Sequence, residues 1–328
     1  MTVSEPSPEQ RYNAFVSITC ILGGAVCFSV GDMTMKRISE TSVPLHEAVV
    51  IRSAIALVLT LLFLRQGLTV RAAFRTNRLR QHILRGFAVL LSNLTFFAAL
   101  AALPIGDATA VFFVAPMLVT VMAAVFVGDQ VGPVRWAALT FGFFGVLLVV
   151  QPGSPDFQWV LILPVLSALA YAAMQTYTRT MGVQESAVSL ALYIQASFLV
   201  GSLSVALLLG HGRFQGLGGP AADFLLRPWV VPSVSELGLI GITGVTITAG
   251  AYLLSQAYRL SPASLVAPFE YGNLVLAVFW GVLIWGDYPD RLAGVGILLI
   301  ISSGVVVAFR EARAGRKRPS VARIITRR

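Results

Sequence analysis

Two ionisable side chains sit deep inside apolar runs of this 328-residue chain, where few proteins tolerate them: Arg52, in the run 44–64, and Glu270, in the run 263–285. A charge at mid-bilayer costs about 2.5–3.5 kcal/mol on insertion scales, so each needs an offsetting role. Counted at about 1.5 Å per residue from opposite faces of a core about 30 Å thick, their depths differ by about 8 Å. An extended arginine covers most of that gap, so the two are able to face one cavity. There Arg52 would hold an anionic group of a ligand, while Glu270 would bind a cationic group or take up a proton as the coupling ion. The competing reading is a structural Arg52–Glu270 pair locking two helices, a weak source of stability because desolvation offsets much of the attraction.

Uncharged polar and aromatic residues inside the runs form a second set of candidate ligand contacts: Asn93, Tyr171, Gln175, Tyr252, Gln256, Tyr271 and Asn273. Together they would line a polar cavity with aromatic walls, suited to an amphipathic or ring-bearing metabolite. Singly, each is as readily a helix–helix hydrogen bond worth about 0.6 kcal/mol. His46 and Glu47, one turn into the second run, read as a gate or vestibule within reach of water, or as a solvated helix end. Val50 stands where the second histidine of an H-E-x-x-H metal helix belongs, which removes that chemistry. Asp32, followed by Lys36 and Arg37, reads as an interfacial charge. The histidines at 46, 82 and 211 are scattered, no clustered carboxylates suit a metal, and no G-x-x-x-x-G-K-[ST] loop is present. Neither metal, cofactor nor ATP hydrolysis is expected on this chain.

The elements that must position these residues follow from composition. Charged residues make up 12% of the chain and hydrophobic ones 56%, with mean hydropathy +0.80. About 25% charge is usual for soluble proteins, so this one is expected to be an integral membrane protein. Ten runs are long enough to span a bilayer: 14–35, 44–64, 83–103, 107–127, 134–151, 157–178, 187–210, 234–258, 263–285 and 291–309. The first is too long and too poorly flanked for a signal peptide and is expected to be retained. With both termini cytoplasmic, eighteen of the 24 Lys and Arg fall on the cytoplasmic side, as the positive-inside rule requires. The net charge of +9 therefore reads as a topology signal, with no nucleic-acid stripe.

A near-copy of punctuation recurs 158 residues apart: Pro104 and Gly128-Asp129 match Pro262 and Gly286-Asp287, and Ala99 matches Ala257. The same offset pairs Phe112 with Glu270, so the acid is not part of what the copies share. Five runs per half invert the second copy. The expected architecture is all-α, with ten transmembrane helices as two inverted five-helix repeats, residues 14–151 and 152–309. A cytoplasmic tail, 1–13, precedes them and a basic tail, 310–328, follows. Pro116, Pro164 and Pro268 are expected to kink their helices, and Gly238, Gly241, Gly244 and Gly250 to let a neighbour approach closely.

These residues resemble the EamA family of the drug/metabolite transporter superfamily over about residues 14–309. The resemblance rests on Ala102 to Ala108, on Pro116, on Gly128-Asp129 followed by Trp136, Gly142 and Gly145, and on Tyr258 to Ala263 leading to Gly286-Asp287. Gly-Asp stands twice where the family usually has Gly-Glu. The stretch Ala267 to Tyr271, with Arg52, is similar to the branch of S-adenosylmethionine and riboflavin uptake carriers. The resemblance implies a multi-pass carrier of the inner membrane, not an enzyme, that moves a small metabolite by alternating access. With the two charges, a zwitterionic or cationic substrate is favoured. Export of amino acids or related metabolites is the second reading, and a receptor or scaffold the alternative of another class. No sequence feature separates a homodimer from a monomer.

Overall fold

A computed structural model describes residues 8–63, 76–128, 131–155, 157–181, 187–216, 218–261 and 263–315. Among these, all regular structure is helical: α1 (Pro8–Ser39), α2 (Leu45–Phe63), α3 (Leu79–Leu100), α4 (Ile105–Phe112), α5 (Ala115–Met122), α6 (Pro133–Val150), α7 (Ile162–Met181), α8 (Ala187–Leu209), α9 (Pro220–Leu226), α10 (Val234–Leu260), α11 (Ala263–Val266), α12 (Gly272–Trp280) and α13 (Arg291–Gly315). Helix occupies each of the ten apolar runs. Seven helical stretches are long and apolar enough to cross a membrane, and Arg135–Val150, Phe269–Trp285 and Arg291–Val307 are shorter apolar ones. The tails 1–7 and 316–328, the basic segment 64–75, Asp129 and Pro262 lie outside the described residues.

The 158-residue recurrence is also a recurrence of element boundaries. After α4 and α5 comes a five-residue π turn, Ala123–Val127, capped by Gly128 at φ 80°. After α11, the 3-10 segment Ala267–Tyr271 and α12 comes a second π turn, Gly281–Trp285, capped by Gly286 at φ 71°. Both caps are left-handed, a conformation that costs glycine nothing. Within each copy the helix is interrupted: at Phe113–Val114 in the first, and by 3-10 turns over Ala267–Tyr271 in the second. Pro116 stands in the first two positions of α5, the piece that resumes, and Pro268 in the first two of the 3-10 segment itself, where a missing N–H is tolerated. Pro164 differs from expectation. It lies in the first turn of α7, which a 3-10 turn at Trp159–Leu161 precedes, so no internal helix bond is lost and no mid-helix kink arises.

Helices α1 and α10 run antiparallel. Ser42, beyond α1, donates to Glu236 at the start of α10 (3.4 Å), and Ser261 at its far end donates to the Asn13 carbonyl (3.4 Å). The glycines of α10 divide. Gly244 meets Ile55 and the Arg52 carbonyl of α2, and Gly250 meets Cys27 and Phe28 of α1, each at about 3 Å from where a Cβ would stand. Gly238 and Gly241 have open space and serve no close approach.

Candidate functional site

Arg52 points into the protein and is 2% exposed. Its Nη2 donates to Asn93 Oδ1 of α3 at 2.5 Å. The guanidinium carbon lies 5.0 Å from the ring centre of Phe97 and 5.4 Å from that of Phe198 on α8, within cation–π range. Its Nε and Nη1 are buried without a hydrogen-bond partner. The acid whose charge acts on it is Asp32 of α1, not Glu270. The side chain of Asn273 on α12 is in turn within interaction range of Asp32. The expectation of an interfacial Asp32 fails because α1 continues to Ser39. Seven residues at about 1.5 Å each place the carboxylate about 10 Å inside the helix end. Four helices therefore meet through Asp32, Arg52, Asn93 and Asn273.

Glu270 belongs to a second cluster. Tyr258, three residues from the end of α10, donates its hydroxyl to Glu270 Oε1. Tyr171 and Tyr271 lie within electrostatic reach of the same carboxylate. Gln175 donates to the Tyr171 hydroxyl at 2.8 Å, one helical turn along α7. The rings extend the wall: Phe112 lies 5.6 Å from Tyr171 and Phe113 5.0 Å from Tyr271. Both Glu270 and Tyr258 are exposed, so the acid is reachable. Sequence reasoning placed Tyr171, Gln175 and Tyr271 with Glu270 but not Tyr258, which it read only as part of a motif. Its signal was the spacing of 12 residues across a helix break. Asn273 joins the other cluster, and on α10 Tyr252 is exposed and Gln256 half-buried.

His46 and Glu47 are 0% exposed, against the expectation that water reaches them. The segment after α8 folds back over them. His46 Nδ1 meets the Leu225 carbonyl at 3.1 Å, and Glu47 Oε2 accepts from the Val230 N–H at 3.1 Å. Between these contacts α9 inserts Phe224, fully buried. Arg227, at the end of α9, donates to the carbonyls of Thr41 and, at 2.8 Å, Ser39. These bonds satisfy carbonyls that a helix end leaves unpaired.

At the same end of the bundle a cavity of about 390 Å³ opens, lined among others by Asp107, Asp287, Tyr288 and Asp290. Lys36 lies beside these acids and donates to the carbonyls of Leu100 (3.2 Å) and Leu103 (2.6 Å). Asp290 is tied down: its Oδ1 accepts from the Ala293 N–H at 2.7 Å and its Oδ2 from Gln151 Nε2 at 2.7 Å. Those hydrogen bonds hold its carboxyl below the usual range. Among the described residues no group of three or more His, Cys, Asp or Glu is disposed to hold a metal ion.

A helical membrane protein with interrupted helices and buried polar clusters at their breaks has the anatomy of a carrier. Residues 16–151 match the EamA-like transporter family. A riboflavin transporter of Rhizobium johnstonii is 32% identical over 247 residues, 75% of this chain and 76% of that protein. An S-adenosylmethionine uptake transporter of Rickettsia conorii is 25% identical over 73% of this chain and 75% of its own length. The pseudopaline exporter CntI of Pseudomonas aeruginosa is 26% identical over 86% and 92%. A crystal structure superposes with a TM-score of 0.61 at 18% identity, covering 93% of this chain and 99% of the other, which shows a shared fold. The chain belongs to the EamA-like transporter family: it is a multi-pass membrane transporter for a small molecule and not an enzyme.

Proposed function

We propose that the protein is a secondary active transporter of the cell's inner membrane, with both termini cytoplasmic, that carries a zwitterionic or cationic organic metabolite by alternating access. Its moving parts are two five-helix units, residues 14–151 and 152–309, of opposite orientation. Glu270, Arg52, Tyr271, Asn273, Asn93, Tyr171 and Gln175 contact substrate or coupling ion, Tyr252 and Gln256 flank the path, and His46 and Glu47 serve the gate. A proton is the favoured coupling ion.

One observation carries this reading. The interrupted stretch from Ala263 to Trp285 bears Glu270, Tyr271 and Asn273 within four residues, and separate helices approach two of them: Tyr258 of α10 hydrogen-bonds Glu270, and Asp32 of α1 lies beside Asn273. A helix broken beside a ligand path frees backbone groups and repositions side chains when its halves move. The 158-residue recurrence of breaks and caps supports the two-unit description. Relatives named for uptake and for export leave both directions compatible with the family, and accumulation assays decide between them.

Counterflow in proteoliposomes tests the proposal. Vesicles holding the full chain are preloaded in turn with S-adenosylmethionine, riboflavin and each of the common amino acids, and exchange of the labelled compound is followed. Exchange of S-adenosylmethionine or of at least one amino acid, collapsing when the inside pool is removed, is the expected result. Failure of every compound overturns the substrate class.

A further inference from the structure

A guanidinium that is 2% exposed, with two of its three nitrogens unpartnered, is an unfinished site. Native proteins pair buried polar groups, and an uncompensated buried charge costs several kcal/mol. Asn93 uses only Nη2, and the Phe97 and Phe198 rings supply no hydrogen-bond acceptor of carboxylate strength. The neighbouring acid does not complete the site either. Asp32 acts on Arg52 through its charge but forms no ion pair with it among the described residues, and it lies near the side chain of Asn273. Asn273, beside Asp32, has a buried Oδ1 with no hydrogen-bond partner. The cluster thus presents unused donors on Arg52, and on the other side an unused acceptor beside a carboxylate.

That arrangement discriminates between ligand charges. A simple anion drawn to Arg52 meets repulsion from Asp32, and a simple cation drawn to Asp32 meets repulsion from Arg52. A group carrying both charges on adjacent atoms satisfies both sides, and rejecting the singly charged analogues needs no further contact. We propose that Arg52, Asp32 and Asn273 form the head-group subsite for a zwitterion, an α-ammonium carboxylate. The carboxylate accepts from the free N–H groups of Arg52, and the ammonium donates to Asp32 and to Asn273 Oδ1. The inference rests on the carrier reading above and narrows it: Asp32, rather than Glu270, recognises the head-group ammonium. The cluster of Glu270, Tyr258 and Tyr171 is left for the rest of the molecule.

The test is a binding titration on the full chain in lipid nanodiscs, followed by thermal shift. The probes are S-adenosylmethionine, the twenty L-amino acids and riboflavin. For the tightest zwitterion, the decarboxylated amine and the N-acetylated acid are added. At least one zwitterion binds, and removing either charge weakens it tenfold or more, about 1.4 kcal/mol. Asp32→Asn weakens the zwitterion tenfold or more and tightens the N-acetylated acid, because the repulsion is gone. A purely structural Asp32 would not produce opposite signs for two ligands. Asn273→Ala, which leaves the charge pair in place, weakens the zwitterion severalfold and carries the measurement if Asp32→Asn does not fold. The proposal is overturned if no zwitterion binds, or if zwitterion and N-acetylated acid respond alike to Asp32→Asn. Riboflavin exchange with no zwitterion bound would sink this inference and leave the carrier standing. Absence of exchange by every compound would sink the substrate class on which this inference rests.

Discussion

Gly145 and Gly296 cross with their backbones in contact: a Cβ on Gly145 would stand 2.6 Å from the Gly296 carbonyl oxygen, and one on Gly296 2.5 Å from that of Gly145. In lipid no solvent drives helices together, so such contacts between small residues supply the packing that holds them. These two glycines set the distance between α6 and α13. Gly145→Val forces the helices apart, and overpacking of this kind costs about 1–3 kcal/mol. The expected result is less folded protein in the membrane fraction and a lower melting temperature in detergent. Unchanged yield and melting would remove the crossing as a structural determinant.

A second glycine acts on the candidate site directly. A Cβ on Gly304 of α13 would overlap the ring of Tyr271, so the aromatic wall beside Glu270 stands where it does because residue 304 has no side chain. Gly304→Ala must displace that ring. Transport of the exchanged substrate is expected to show a KM raised severalfold, with protein yield near normal because Tyr271 is only partly buried. A KM equal to that of the parent protein would separate Tyr271 from binding.

How much of this was legible in the sequence depends on the interaction's range. Helix positions followed from hydropathy, and the caps at Gly128 and Gly286 from a repeated dipeptide, because both signals are local. The partner of Arg52 was not legible. Depth arithmetic compared Arg52 with Glu270, but depth does not say which helix faces which, and packing of α1 and α2 on the same helix, α10, brought Asp32 instead. The burial of His46 and Glu47 was missed for a related reason. The segment that covers them, α9 and its flanks, lies about 180 residues away in the chain (|i−j| 179 and 183 for the two hydrogen bonds) and has no hydropathy signature of its own.

That covering segment behaves as a plug, and its fastenings can be cut separately. Arg227→Ala removes the donors to Ser39 and Thr41, and Glu47→Gln weakens the acceptor for the Val230 N–H by taking away its charge. Each is expected to raise the labelling rate of a cysteine placed at Phe224, buried in the intact protein, by tenfold or more. If labelling of Phe224→Cys is as slow in both variants as without them, the plug is held by packing alone.

Asp290 links pH to stability at the same end. Its folded carboxyl titrates below its unfolded value, held down by the Ala293 N–H and Gln151. The stabilisation is therefore present in full above the unfolded value, about pH 4, and is lost as pH falls through the folded one. Asp290→Ala removes an N-terminal cap, which costs about 1 kcal/mol. The expected melting curves of parent and variant differ at pH 7 and converge toward pH 3. A difference that stays constant down to that pH would exclude the carboxylate as its source.

A hydrogen bond joins Tyr258 to Glu270 across two elements. The hydroxyl donates to the carboxylate, and the donor sits on α10 while the acceptor sits in the 3-10 break. If alternating access moves the break relative to α10, as proposed, that bond stretches or breaks and the carboxylate's environment differs between the two states. If Glu270 is the coupling acid, Glu270→Gln keeps an acceptor for Tyr258 and abolishes the dependence of exchange on pH. Tyr258→Phe keeps the ring, loses the donor and shifts the pH profile without abolishing it. The control is exchange at saturating substrate, which both variants retain because neither removes Arg52 or Asp32. A Glu270→Gln protein with the parent's pH profile would move the coupling role off this residue, and equal profiles for both variants and parent would show that the hydrogen bond is structural.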